Sequence, residues 1–117
     1  MTAAAKTILY FSYYLFFMGL SLAIIPNLIL PLLGFQETQE VWVRVLGIVT
    51  LVVGYYYFQT ANAEITLFFE FTVIARIFVF IAFILMVIFG KAPVLLILTG
   101  FVDFAGAIWT HMSLKKK

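Results

Sequence analysis

Polar residues punctuate this chain at only a few places, and between them lie four long apolar runs. The first, TILYFSYYLFFMGLSLAII, extends over residues 7–25; the others cover about 41–59, 65–90 and 93–112. A helix needs about 20 apolar residues to cross a bilayer, so each run predicts a membrane-spanning helix. A cleaved signal peptide would have a shorter, less aromatic apolar stretch followed by small residues, whereas the first run ends at Pro26 and Asn27. Pro26 disfavours helix at Ile25 and Pro31 obstructs a restart, which predicts an irregular or interfacial connection over 26–40. Within it QETQE reads as a loop, with Thr38 as an N-cap for the second span. TANAE joins spans two and three, with Asn62 as a cap and Glu64 in the first helical turn. GKAP joins spans three and four, with Pro93 near the start of the last helix. The expected fold is all-α: an integral membrane four-helix bundle made of two helical hairpins, both termini on the same side.

Composition narrows the class further. Of 117 residues, 66% are hydrophobic and 10% charged, and the mean hydropathy is +1.19, far from soluble usage. The absence of cysteine excludes disulfides, thiol catalysis and thiolate metal sites. The net charge of +2 rests mainly on Lys115, Lys116 and Lys117, too small a patch for nucleic acid. These lysines and Lys6 flank the termini, whereas Lys91 and Arg44 flank the other side with the acidic Glu37 and Glu40. The positive-inside rule therefore predicts cytoplasmic termini. The pair Glu40 and Arg44 at i,i+4, or snorkelling, accounts for Arg44.

Three charges lie inside the apolar runs: Glu70, Arg76 and Asp103. A charge at mid-membrane costs roughly 2.5–3.5 kcal/mol on insertion scales, so each needs water, a partner or a function. Every span also carries a stripe of small or polar residues suited to helix packing. These stripes are Ser12, Phe16, Gly19 and Ala23; Gly47, Thr50, Gly54 and Tyr57; Thr66, Glu70 and Arg76; and Gly100, Asp103, Ala107, Thr110 and His111. Reflecting the last two spans about their turn puts Arg76 and Asp103 about 6 Å apart in depth, within reach of a structural ion pair. A polar intramembrane pocket lined by Tyr56, Glu70, Arg76 and Asp103 is the ligand-binding alternative. Glu70, lying toward the cytoplasmic tyrosines without an evident cationic mate, is the charge least explained by packing. The tyrosines Tyr10, Tyr13, Tyr14 and Tyr55 to Tyr57 read as an inner aromatic belt.

No phosphate loop, HExxH spacing or nucleophile–base set is present, and nothing names a cofactor. A metal site would have to be assembled from Glu70, Asp103 and His111 across two helices. The segments WVRVLGIVTLVVGYYY, FTVIARIFVF and LILTGFVDFAGAIWT resemble small four-span bacterial membrane proteins, broadly the DoxX-like proteins. The resemblance rests on Arg44, Gly47, Gly54, Tyr56, Arg76, Asp103 and Trp109 and implies a bacterial inner-membrane location. Three functional readings follow. The leading one is a non-enzymatic accessory or scaffolding subunit of a larger membrane complex. The second is a bundle that binds a lipophile such as a lipid, quinone or sterol-like molecule. The third is a small channel or proton carrier formed as a homo-oligomer.

Overall fold

The computed structural model describes residues 1–90 and 92–115, so the roles expected of Lys91, Lys116 and Lys117 lie outside the described residues. Five helices are present among them: α1 (Ala3–Ile24), α2 (Pro26–Leu32), α3 (Val41–Ala63), α4 (Thr66–Ile88) and α5 (Leu96–Lys115). Helices α1, α3 and α4 are long and apolar enough to cross a membrane. Helix α5, diluted by Asp103, Thr110 and His111, is not in that group, although its 20 residues span about 30 Å at 1.5 Å per residue. Large apolar side chains cover the outside, with Phe78 at 70% and Ile74 at 69% exposure. Soluble monomers rarely expose such continuous apolar surface, whereas lipid accepts it.

Two antiparallel hairpins make the bundle, α1 with α3 and α4 with α5, and α1 joins them by packing against α5 and α4 as well. Helix α3 packs chiefly along α1; near its end Tyr57 meets Phe68 of α4 edge-on at 5.4 Å. The hairpin α1/α3 depends on glycine. A Cβ on Gly47 would lie 2.7 Å from the Gly19 carbonyl oxygen, and one on Gly19 would lie 2.9 Å from the Gly47 oxygen. Backbone-to-backbone approach of this kind is how small residues replace the missing hydrophobic drive in lipid.

The first turns of α1, the end of α3 and the last turns of α5 lie together at one end of the bundle. The Thr2 amide donates to Glu64 Oε1 at 2.9 Å, and the Thr7 and Thr110 hydroxyls meet at 2.6 Å. Helix α1 starts four residues earlier than the apolar run. Thr2 caps it by accepting from the Ala5 amide at 3.1 Å, and Ala4 and Ala5 are buried with Ile8, Phe11, Tyr57, Ala61 and Phe69.

The connections differ from the sequence expectation. Residues 26–32 are helical, because Pro26 sits at the first helical position, where no donor is needed, and Pro31 sacrifices only one bond in a single short helix. A Schellman motif closes α2: the Phe35 amide donates to the Leu30 carbonyl at 2.9 Å and the Gly34 amide to Pro31 at 3.1 Å, with Gly34 at φ 88°. Glu40, not Thr38, occupies the N-cap position of α3, and Thr38 accepts the Glu40 amide from within the loop at 3.1 Å. Helix α3 runs on to Ala63. Asn62 is therefore inside it, donating to the Phe58 carbonyl, and Glu64 is its left-handed C-cap at φ 53°, not a first-turn residue of α4. Helix α5 starts at Leu96, whose amide bonds the Pro93 carbonyl at 3.0 Å. Arg44 donates to the Ala23 and Ile24 carbonyls at 2.7 and 3.2 Å, capping the end of α1, while Glu40 accepts the Trp42 indole N–H. The expected Glu40–Arg44 pair is replaced by this cap, which supplies cationic donors to a helix terminus whose next residues include Pro26.

Candidate functional site

The polar centre of the bundle is built on Arg76, which is 3% exposed. The buried stripe of α4 is Phe69, Thr72, Val73 and Arg76, spaced i, i+3, i+4, i+7. Arg76 Nε donates to the Thr72 carbonyl oxygen at 3.2 Å, and Nη2 donates to Thr72 Oγ1 at 3.1 Å and to Thr110 Oγ1 at 2.9 Å. The guanidinium lies over the Phe11 ring of α1, with Cζ 4.8 Å from the centroid, a cation–π contact. Opposite, a Cβ on Gly106 would lie 3.0 Å from Nη1, so the glycine leaves room for the cation.

Hydroxyl directions follow by elimination. Thr72 gives its proton to the Phe69 carbonyl at 2.7 Å, and Thr7 gives its proton to Ala4 at 2.7 Å. Each hydroxyl has one proton, so Thr110 must donate to Thr7 while accepting from Arg76. A directed chain thus runs from the α4 guanidinium through the α5 hydroxyl to the α1 hydroxyl and ends on an α1 carbonyl. One guanidinium nitrogen stands outside it: Nη1 is buried and has no hydrogen-bond partner among the described residues.

The expected Arg76–Asp103 ion pair is not made. Asp103 is half-buried on α5, within electrostatic range of Arg76 and Tyr14, but forms no hydrogen bond with a described residue. Depth alone would allow contact; direction forbids it. Helical side chains lean toward their own N-terminus, and in antiparallel α4 and α5 this sends Arg76 toward Thr72 and Thr110 and Asp103 the opposite way.

Two other expected site residues lie elsewhere. Tyr56 is 55% exposed beside Tyr55, and its neighbour Tyr57 is the residue turned inward, 5.6 Å from the Phe11 ring. Glu70 is exposed as well, lying about 110° round α4 from the centre of the buried stripe at 100° per residue. It lines an open groove of about 450 Å³ with Val73, Ile74, His111, Leu114 and Lys115. The belt tyrosines divide similarly: Tyr10 stacks on Trp109 at 6.0 Å on the outside, and Tyr14 packs inward beside Phe11 at 5.4 Å. No group of three or more metal-ligating side chains occurs among the described residues. Sequence reasoning placed Thr110 on the inner face but gave no role to Thr7 or Thr72; their only signal is that each falls on a buried stripe.

These features define a helical bundle with an apolar exterior and a cationic centre enclosed by three helices. In comparisons with known proteins, no family model, no curated protein and no solved structure matches the chain.

Proposed function

We propose that this protein is a four-span bundle of the bacterial inner membrane, DoxX-like in kind, that binds a lipophile through the Arg76 centre without transforming it. In this reading α5 is the fourth span, and the end that carries Lys6 and Lys115 faces the cytoplasm, in line with the positive-inside rule. The observation that carries the binding role is Nη1 of Arg76: a buried cationic donor without a partner costs more than a neutral one, so an acceptor on a bound molecule would supply what the bundle does not. Gly106 brings the α5 backbone close beside Nη1, so a methyl added there would crowd that donor. The third reading, a channel or proton carrier, has no observation in its favour.

The test is lipid extraction and mass spectrometry on protein purified in mild detergent. Wild type is expected to retain a lipophile that Arg76→Gln loses and that Gly106→Ala, by crowding Nη1, reduces. Equal lipid content in wild type and Arg76→Gln would overturn the reading.

A second reading, an accessory subunit, is favoured by α3, which packs chiefly on α1 and leaves most of its circumference for lipid or a partner helix. Native mass spectrometry of the same preparation distinguishes the two, since an accessory subunit carries a stoichiometric protein partner.

A further inference from the structure

The groove at the terminal end of α4 and α5 combines features that the Arg76 centre does not use. Glu70 lies in the second turn of α4, and His111 and Lys115 lie in the last two turns of α5, so all three sit near the end of the bundle that holds the start of α1. Val73, Ile74 and Leu114 complete the lining. Charged and polar groups are thus grouped at the level of a membrane interface, with an apolar wall beside them. The carboxylate and the lysine share the groove, but neither they nor His111 bond to one another or to any other described residue. Opposite charges held in one groove without pairing suit a ligand that carries both signs.

We infer that this groove binds a zwitterionic aminophospholipid, with the lipid phosphate at Lys115 and His111 and its primary ammonium at Glu70. The first acyl carbons then lie along Val73, Ile74 and Leu114. The chemistry selects within the phospholipids. An ethanolamine ammonium has N–H donors that can approach a carboxylate, whereas the methyl groups of choline hold the cation away and offer no donor. A phosphatidylglycerol headgroup brings a net negative charge and no cation, so Glu70 repels it where Lys115 attracts it. Free phosphate would leave the apolar wall unused. This site is separate from the Arg76 centre, and the inference stands whether or not that centre holds a lipophile.

The test is a native mass spectrometry titration of the full chain in mild detergent with dioleoyl phosphatidylethanolamine, phosphatidylcholine and phosphatidylglycerol. The ethanolamine lipid is expected to bind about tenfold more tightly than either of the others, the factor that one charge-assisted hydrogen bond confers. Glu70→Gln, at an exposed position that folding tolerates, should erase that preference. Lys115→Gln should weaken all three lipids, and Tyr55→Phe, at an exposed position outside the groove, should leave the preference intact. Equal binding of the three lipids by wild type, tighter binding of phosphatidylglycerol, or a preference that survives in Glu70→Gln would each overturn the assignment.

Discussion

Replacing Thr110 with Val keeps the shape of the side chain and removes one oxygen, which sits at the junction of three helices. Wild-type Thr110 accepts from Arg76 Nη2 at 2.9 Å and donates to Thr7 at 2.6 Å. A hydrogen bond to a charged group contributes about 1.5–3 kcal/mol, and an interhelical one between neutral groups in a membrane averages about 0.6 kcal/mol. Thr7 keeps its own donation to the Ala4 carbonyl in the variant, so no second donor is stranded. The expected cost of Thr110→Val is therefore about 2–3.5 kcal/mol. Thr7→Val removes two neutral bonds, the link to Thr110 and the donation to the Ala4 carbonyl, and should cost about 1 kcal/mol, since the guanidinium keeps both threonine partners. Equilibrium unfolding in mixed micelles, followed by far-UV circular dichroism and by the fluorescence of Trp109 on α5, measures both. Thr110→Val is expected to cost clearly more than Thr7→Val. Equal costs, or a larger cost for Thr7→Val, would refute the directed chain from α4 through α5 to α1.

Other expectations come from the part of the α1/α3 hairpin where the last turns of α1 meet the first turns of α3. Gly47→Ala forces a methyl against the Gly19 carbonyl and the Ala23 backbone, which cannot rotate aside; overpacking of this kind costs about 1–3 kcal/mol, measurable as a lower unfolding midpoint in mixed micelles. Arg44→Gln removes the cation that caps the Ala23 and Ile24 carbonyls, and a loss of about 0.3–1 kcal/mol is expected, shrinking as salt is added. Hydrogen exchange of the backbone near residue 25 should rise in that variant and stay unchanged near Thr110.

The helical plan was legible because it follows from apolar run length alone. The runs predict four spans; the chain is all-helical, and three of its helices are long and apolar enough to cross a membrane. The short helix Pro26–Leu32 was not legible, because two prolines in seven residues read as breakers unless their positions relative to a helix start are known. Arg76 was legible as a buried charge, and its partner was not. Depth is additive along a helix and can be reflected about a turn, but the lean of the side chain toward its own N-terminus reverses between antiparallel helices, and it carried Arg76 away from Asp103. Threonines give little signal at any position, since each can bond a carbonyl of its own helix, as Thr7 and Thr72 do. A register error of one residue separates exposed Tyr56 from buried Tyr57, and a displacement of about a third of a turn takes Glu70 out of the interior and into the groove.

The chain contains two arginines, Arg44 and Arg76, so guanidinium nitrogens can be resolved without ambiguity. Magic-angle-spinning NMR of the ¹⁵N,¹³C-labelled protein in bilayers measures which carbons lie beside the Arg76 nitrogens. Correlations are expected from Arg76 Nη to Cβ of Thr110 and Thr72 and to the Phe11 ring, and none at bonding distance to the Asp103 carboxyl carbon. A strong correlation between Arg76 Nη and Asp103 Cγ, with those to Thr110 and Thr72 absent, would contradict it.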